Sequence, residues 1–191
     1  MTRVIGHRGA RGLWPENSLG GFRNVITLAV DAVEFDVQLV DSGELLVIHD
    51  ATIERTTEGT GAVRDLSQEK RARLRLKGCD ETIPTFGEVL DVLDPAEEKQ
   101  LHVEIKDPLD QLCSGVVEKI VAEIDRHGLR GRCHLSSFDL SVLEVCRGVA
   151  SDIPRLVSLN AASANRLGGL ESFLSRASDL VEVVAVYHEY L

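Results

Sequence analysis

Short apolar segments alternate with longer amphipathic segments along most of this chain. After residue 18, for example, Leu19, Phe22 and Ile26 recur with the spacing of one helix face, and Asn17 or Ser18 is the predicted N-cap. Six apolar segments have the length of strands, and they are centred near residues 4, 34, 103, 135, 156 and 184. Strands that alternate with helices are typical of βα units, so we predict an α/β fold with a parallel sheet.

One apolar segment does not fit the parallel pattern. The segment ELLVIHD follows EFDVQL after the turn Asp41-Ser42-Gly43. A parallel crossover needs about a dozen residues or more, whereas a turn this short joins antiparallel strands. We therefore predict that residues 40–65 form a hairpin excursion beside the sheet.

The segment EFDVQL, residues 34–39, carries two carboxylates in what otherwise has the pattern of a buried strand. Because side chains alternate across a strand, Glu34 and Asp36 share one face, while Phe35 and Val37 share the other. The second face is ordinary core. The first face places two negative charges about 7 Å apart along one strand, and these charges need a partner.

The segment LHVEIK repeats this arrangement, with Glu104 and Lys106 on its polar face. Isolated buried carboxylates are costly, so they pair with cations or bind a metal ion. Glu34, Asp36 and Glu104 together offer an all-oxygen ligand set, which suits Mg²⁺ or Ca²⁺. The alternative is a salt-bridge network with Arg8 or Lys106, and the spacing alone leaves both interpretations open.

Two histidines, His7 and His49, come directly after apolar strand segments. The catalytic sites of α/β barrels and open α/β sheets are built at the carboxyl ends of strands. Imidazoles placed there can act as general base and general acid, because their unperturbed pKa lies near neutrality. A hydrogen-bonded structural role is the alternative for each of them.

Size and charge limit the partners of the chain. Its 191 residues suffice for one domain, which we predict to span residues 1–191. The formal net charge of −10 argues against nucleic acid or an anionic membrane as the main partner, although a metal ion could still attract a small anionic substrate. The N-terminus lacks a signal-peptide pattern, and no apolar run reaches 18 residues. We expect a cytoplasmic protein without a stable membrane anchor.

Eight short motifs stand in one order along the chain. They are HRG (7–9), PENS (15–18), EFDV (34–37), HD (49–50), RTTEGTG (55–61), IPTF (83–86), EIK (104–106) and SSF (136–138). On these motifs, the chain resembles the glycerophosphodiester phosphodiesterase family over roughly residues 4–160. The resemblance implies a TIM-barrel-type fold, related to that of phosphoinositide phospholipase C. It also implies hydrolysis of glycerophosphodiesters to sn-glycerol 3-phosphate and an alcohol, with a divalent metal.

The resemblance further implies a role for each matching residue. His7 is the general base and His49 the general acid; Arg8 and Lys106 contact the substrate phosphate; Glu34, Asp36 and Glu104 bind the Mg²⁺ or Ca²⁺ ion; Asn17 and Asp50 support the site. Two of these roles have a simpler alternative, since Asn17 could equally be a helix cap and Asp50 the start of a turn.

The chain departs from the family in its number of strands. With the hairpin strand excluded we count about six barrel strands, whereas a (β/α)8 barrel has eight. We therefore expect a barrel that is incomplete at its C-terminal end, with exposed strand edges through which the chain could form an oligomer. Two other functions stay open: a lysophospholipase D-like activity, at which Leu13 and Trp14 hint, and non-catalytic binding of phosphodiesters.

Overall fold

The fold is built around a single curved sheet. A computed structural model describes residues 2–96, 98–106 and 113–186. The strands are β1 (Ile5–His7), β2 (Ala32–Leu39), β3 (Leu45–Val47), β4 (Gln100–Ile105), β5 (Cys133–Ser137), β6 (Arg155–Leu159) and β7 (Val183–Val186). Six of them run in parallel in the order β1-β2-β4-β5-β6-β7, while β3 is antiparallel to β2. The parallel strands form a half barrel.

Helices connect the successive parallel strands. In the described ranges they are α1 (Leu19–Val25), α2 (Gln68–Arg73), α3 (Phe86–Leu93), α4 (Cys113–Arg126), α5 (Leu140–Val149), α6 (Ala161–Arg166) and α7 (Leu170–Ala177). Short 3₁₀ turns span Val63–Asp65 and Arg130–Arg132. None of the described helices combines the length and the apolar character that crossing a membrane requires.

This topology confirms the predicted α/β class and the six parallel strands. The hairpin prediction is also confirmed, because β3 pairs with β2 in the antiparallel direction, with Val47 opposite Val37 and Leu45 opposite Leu39. After β3 the chain does not return to the parallel sheet until β4. The excursion therefore places His49 beside the sheet rather than at the end of a barrel strand.

One helix agrees with its sequence pattern within the described residues, and another has no pattern that predicts it. The helical spacing over residues 109–127 predicts one helix, which the structure describes as α4 from Cys113; residues 107–112 lie outside the described residues. α6 has no apolar periodicity that would predict it. It begins instead at a capping box, in which the Asn160 side chain accepts the backbone N–H of Ser163 and the Ser163 side chain accepts that of Asn160.

The core lies between the apolar face of the sheet and the helices that cover it. Phe35, on the face of β2 opposite to the carboxylates, is fully buried. Its ring contacts Phe22 of α1, at a centroid distance of 5.6 Å, and Phe86 of α3, at 6.0 Å. This packing fixes which face of β2 points away from the helices. The same packing therefore aims Glu34 and Asp36 into the half barrel.

We expect Phe35→Ala to lower the free energy of unfolding by about 3–5 kcal/mol, because it removes buried surface and leaves a cavity between α1 and α3. Urea unfolding followed by circular dichroism would measure the loss. Leu13→Ala is the control, since Leu13 is 67% exposed and its truncation should change stability by at most about 0.5 kcal/mol. Equal losses for both variants would contradict this account of the core.

Candidate active site

The parallel register of three neighbouring strands brings the predicted acidic ligands together with His7. In the parallel register, Asp36 of β2 lies opposite Glu104 of β4, and His7 of β1 lies opposite Glu34 of β2. Paired residues of parallel strands point to the same face of the sheet. As a result, carboxylate oxygens of Glu34, Asp36 and Glu104 all lie within 4.8 Å of one another. A single cation could contact all three.

This acidic cluster fits a hard divalent cation in its donor atoms and in its burial. Asp36 is fully buried and Glu104 is 7% exposed. Oε1 of Glu34 is buried and has no hydrogen-bond partner in the part of the chain that the structure describes. A buried carboxylate oxygen without a partner is costly, and a bound cation would remove that cost. Carboxylate oxygens are the ligands that Mg²⁺ and Ca²⁺ prefer.

Salt bridges neutralise part of the acidic cluster. Nζ of Lys106 lies 2.8 Å from Oδ1 of Asp36 and also contacts Oε1 of Glu104. Nε of Arg8 lies 3.4 Å from Oδ2 of Asp36. Glu34 instead accepts the backbone N–H of Arg8 at 3.0 Å, and no lysine or arginine side chain of the described residues pairs with it. The predicted network is thus present, and it leaves one carboxylate without a cationic side chain.

The pKa values follow this distribution of charge. Burial, together with the neighbouring carboxylates of Asp36 and Glu104, raises the pKa of Glu34 to about 8. Burial opposes the charge of Lys106, but Asp36 and Glu104 outweigh it and raise the pKa of Lys106. Without a cation between the carboxylates, Glu34 is therefore mostly protonated at neutral pH, while Lys106 stays charged.

The loop after β1 lies against the acidic cluster in a strained conformation. Arg8, Ala10 and Asn17 have φ values of 51°, 64° and 54°, in the left-handed region that non-glycine residues seldom adopt. The side-chain amide of Asn17 donates to Oδ2 of Asp36 at 2.9 Å. The N-cap of α1 is Ser18, whose hydroxyl accepts a backbone N–H. Strain of this kind persists where surrounding contacts enforce it, and it is concentrated at functional sites.

His7 ends β1 beside the acidic cluster. Its Nε2 atom lies 3.6 Å from Oε2 of Glu34, and its side chain is 48% exposed. Burial and then the positive charges of Arg8 and Arg11 lower the pKa of His7 to about 4. The imidazole is therefore neutral at pH 7, and one of its nitrogens can accept a proton.

His49 follows β3, and Asp50 holds its ring. Nδ1 of His49 lies 2.6 Å from Oδ1 of Asp50. Hydrogen bonding to Arg55, opposed by partial burial and reinforced by the bond to His49, lowers the pKa of Asp50 to about 2. The ionised carboxylate can only accept, so Nδ1 carries the proton of this hydrogen bond. Nε2 is left for another partner.

A cavity of about 620 Å³ joins the two histidines to the acidic cluster. Five of the nine predicted site residues line it: His7, Arg8, Glu34, His49 and Glu104. The other four lie behind this lining and contact its members or one another: Asp36, Lys106, Asn17 and Asp50. The structure therefore brings together all nine residues for which the family resemblance implies a role.

The remaining wall of the cavity is largely apolar, and Phe138, Leu156 and Leu159 form part of it. The two residues that hinted at an apolar channel are placed elsewhere. Trp14 packs against the main core, and Leu13 points to solvent with 67% exposure. An apolar surface beside the site therefore exists, but it is built from β6 and from the end of β5.

Three further polar residues belong to the site. Glu16 bridges Arg8 and Arg55, with contacts of 3.1 Å to the former and 2.7 Å to the latter. Gln38 donates to the backbone carbonyls of residues 48, 49 and 50. The alternation along β2 places Gln38 on the same face as Glu34. Glu16 and Arg55 have no such periodicity, and their positions within the motifs PENS and RTTEGTG are the signal that could have found them.

Comparisons with known proteins agree on one family. The model of the "Glycerophosphoryl diester phosphodiesterase family" matches residues 7–190. A glycerophosphodiester phosphodiesterase of Caldanaerobacter subterraneus subsp. tengcongensis is 36% identical over 144 residues, which cover 72% of this chain and 58% of that protein. Its counterpart in Bacillus altitudinis is 33% identical over 144 residues, with the same two coverages of 72% and 58%. The chain thus spans less than two thirds of the length of these curated relatives.

Solved structures share the fold. An Oleispira antarctica phosphodiesterase in complex with the product sn-glycerol-3-phosphate aligns with a TM-score of 0.86 at 23% identity, covering 100% of this chain and 77% of that one. A glycerophosphodiester phosphodiesterase from Agrobacterium tumefaciens aligns with a TM-score of 0.72 at 20% identity, covering 97% of this chain and 96% of that one. These alignments confirm the predicted TIM-barrel-type fold.

We expect the affinity of the acidic cluster for Mg²⁺ or Ca²⁺ to rise with pH up to about 8 and then to level off. A cation must displace the proton that Glu34 holds below its pKa of about 8, so affinity is lost as the pH falls through that value. Isothermal titration calorimetry in two buffers of different ionisation enthalpy would count the released protons. At about pH 6.5 we expect roughly one proton per bound ion, and at about pH 9 almost none.

Glu34→Gln is the matched variant for this titration, because it keeps the shape of the side chain but cannot release a proton. It should bind the cation more weakly and without the pH-dependent proton release. An affinity that does not change between about pH 6 and pH 9 would show that Glu34 is already ionised before the cation binds, which would contradict the raised pKa.

Proposed function

We propose that this chain, which belongs to the glycerophosphoryl diester phosphodiesterase family, hydrolyses glycerophosphodiesters to sn-glycerol 3-phosphate and an alcohol with the help of a divalent metal ion. One observation carries the proposal. Two histidines and a buried acidic cluster, supplied by separate strands and loops, face a single cavity. Product binding by the Oleispira antarctica phosphodiesterase, which shares the fold, supports the choice of substrate.

The metal site would consist of Glu34, Asp36 and Glu104. Their oxygen donors suit Mg²⁺ and Ca²⁺, and a cation beside Oε1 of Glu34 would meet the one carboxylate of this cluster with which no lysine or arginine of the described residues pairs. When bound, the ion would neutralise the phosphate of the diester and lower the pKa of an attacking hydroxyl. Asn17 would hold Asp36 in place through its amide.

The two histidines would move the protons. His7 is neutral at pH 7 and would take the proton of the attacking hydroxyl, while His49 would give one to the departing alcohol oxygen as the P–O bond breaks. Asp50 would orient the His49 ring, since it accepts the hydrogen bond from Nδ1. Arg8, which lines the cavity, would contact the phosphate, and so would Lys106, which also pairs with Asp36 and Glu104.

A lysophospholipase D-like activity is the second candidate. The apolar wall formed by Phe138, Leu156 and Leu159 favours it, because an acyl chain needs such a surface next to the phosphate site. The reaction at phosphorus would be the same, and the substrate would differ only in the acyl group on its glycerol.

Other expectations stay predictions. They are a single domain over residues 1–191, a cytoplasmic location, and self-association through strand edges. For the last, the edge strands do expose apolar side chains: Ile5 of β1 is 44% exposed and Val183 of β7 is 43% exposed. Exposed apolar edges favour pairing with another chain.

We expect the purified chain to release glycerol 3-phosphate from glycerophosphocholine and to lose this activity in EDTA. An enzymatic assay of glycerol 3-phosphate would measure it, with lysophosphatidylcholine tested in parallel for choline release. A clear preference for the lysophospholipid would support the second candidate. Binding of glycerophosphocholine without turnover would indicate a non-catalytic protein, and full activity in EDTA would remove the metal from the mechanism.

We expect His7→Ala and His49→Ala each to lower turnover by roughly 10²–10⁴ while metal binding stays nearly intact, because positioned proton transfer is worth that much. Glu34→Ala should instead weaken metal binding, and excess metal should partly restore its rate. Single-turnover kinetics beside calorimetric metal titration would separate the two kinds of loss.

His127→Ala is the control for the histidine variants, since His127 contacts Asp91 and the backbone of α4 and does not line the cavity. Its turnover should equal that of the unmodified chain. Near-normal turnover of His49→Ala would make His49 structural and would require another acid.

A further inference from the structure

The guanidinium of Arg55 bridges two carboxylates from different parts of the chain. On one edge, Nη1 and Nη2 donate to the two oxygens of Glu16, both at 2.7 Å. On the other edge, Nε and Nη2 donate to the two oxygens of Asp50, at 2.5 Å and 3.1 Å. Both contacts are bidentate, which is the strongest geometry that an arginine and a carboxylate can adopt.

Each of these carboxylates holds a residue of the cavity. Oδ1 of Asp50 accepts the hydrogen bond from Nδ1 of His49 at 2.6 Å. Oε1 of Glu16 accepts a hydrogen bond from Nη1 of Arg8 at 3.1 Å. Arg55 therefore stands at the centre of a chain of contacts that begins at His49 and ends at Arg8.

A solvent-facing ion pair usually contributes little, and the Arg55 side chain is 48% exposed. Two features distinguish the ion pairs of Arg55 from such a solvent-facing pair. Its partner Glu16 is 13% exposed and Arg8 is 9% exposed, so the contacts reach into the interior. The charges also form a network with bidentate geometry, the case in which surface ion pairs do contribute. Arg55 itself does not line the cavity.

The position of His49 explains why such a link is needed. His7, Glu34 and Glu104 are placed by the parallel register of their strands, whereas His49 follows β3 in the excursion and has no such register. Gln38 of β2 holds the backbone there, because it donates to the carbonyls of residues 48, 49 and 50. Gln38 leaves the ring of His49 free to rotate, and Asp50 and Arg55 together restrict it.

We propose that Arg55 is a positioning residue that couples the excursion loop to the loop after β1, orienting His49 through Asp50 and Arg8 through Glu16. The inference rests on the proposed function and deepens it, since it makes the acid and the phosphate contact depend on one guanidinium outside the cavity. Loss of Arg55 therefore disturbs His49 and Arg8 together. Turnover falls because His49 is misaligned, and KM rises because Arg8 is no longer held.

The test uses two variants of Arg55 and one control. Arg55→Ala should lower kcat by roughly 10²-fold, the effect of about 1 Å of misplacement, and should also raise KM, with Mg²⁺ affinity unchanged. Added guanidinium should restore part of the rate. Arg55→Lys keeps the charge but cannot form two bidentate pairs, so it should lie between Arg55→Ala and the unmodified chain. Arg73→Ala, which removes an exposed ion pair with Glu69 on α2, should change neither constant.

Two further variants test separately the contact of Arg55 with Asp50 and its contact with Glu16. Asp50→Asn should lower kcat, and Glu16→Gln should raise KM. Combining either with Arg55→Ala should add little to the loss, because both changes break the same link. Additive losses, or an Arg55→Ala variant with the kcat and KM of the unmodified chain, would overturn the proposal.

A readout without substrate keeps this inference separate from the proposed function. In nuclear magnetic resonance, the Nδ1–H proton of His49 should give an exchange-protected signal in the unmodified chain and in Arg73→Ala. The signal should be lost in Arg55→Ala, and in Arg55→Lys it should exchange faster than in the unmodified chain. A finding that the unmodified chain hydrolyses no diester would contradict the proposed function. The Nδ1–H signal does not depend on turnover, so it would still test whether Arg55 orients His49. A protected signal in both Arg55 variants would overturn that role.

Discussion

The site depends on one constraint, the burial of three carboxylates on the inner face of two neighbouring parallel strands. The register that places Asp36 opposite Glu104 comes from the sheet itself, and the packing of Phe35 against the helices turns Glu34 and Asp36 inward. Negative charges so close together and so well buried must be compensated. Lys106 and Arg8 supply part of the compensation, and Glu34 is left to a proton or to a cation.

The surrounding loops follow from the same constraint. The loop after β1 adopts left-handed backbone at Arg8 and Asn17, and this conformation lets the Arg8 N–H reach Glu34 and the Asn17 amide reach Asp36. The excursion after β3 then brings His49 to the wall of the cavity. The sheet thus supplies the acidic cluster and His7, Lys106 directly follows β4, and the two loops supply Arg8 and His49.

Much of this could be predicted from the sequence, because strand periodicity is local. The alternation in EFDVQL and LHVEIK was enough to place Glu34, Asp36 and Glu104 on one face, and the short turn at 41–43 was enough to make β3 antiparallel. The choice between a metal and a salt-bridge network could not be made from spacing, since it depends on which cation reaches which oxygen. The structure contains the network and still leaves Glu34 without a cationic side chain among the described residues.

Loop-to-loop contacts were the hardest part to foresee. Glu16 and Arg55 are 39 residues apart in the chain, and no helix or strand period relates them. Likewise, either Asn17 or Ser18 could have capped α1. Backbone geometry decided between them, because Asn17 adopts positive φ and turns its amide toward Asp36 while Ser18 takes the N-cap position. Such choices depend on tertiary contacts that a local pattern does not contain.

The central claim is that the acidic cluster holds the metal, and diffraction from crystals soaked in Mn²⁺, recorded at the manganese absorption edge, tests it most directly. We expect an anomalous peak about 2–2.6 Å from carboxylate oxygens of Glu34, Asp36 and Glu104, the range of metal–oxygen distances for hard divalent ions. A peak that leaves Oε1 of Glu34 without a ligand, or no peak at saturating Mn²⁺, would contradict the account.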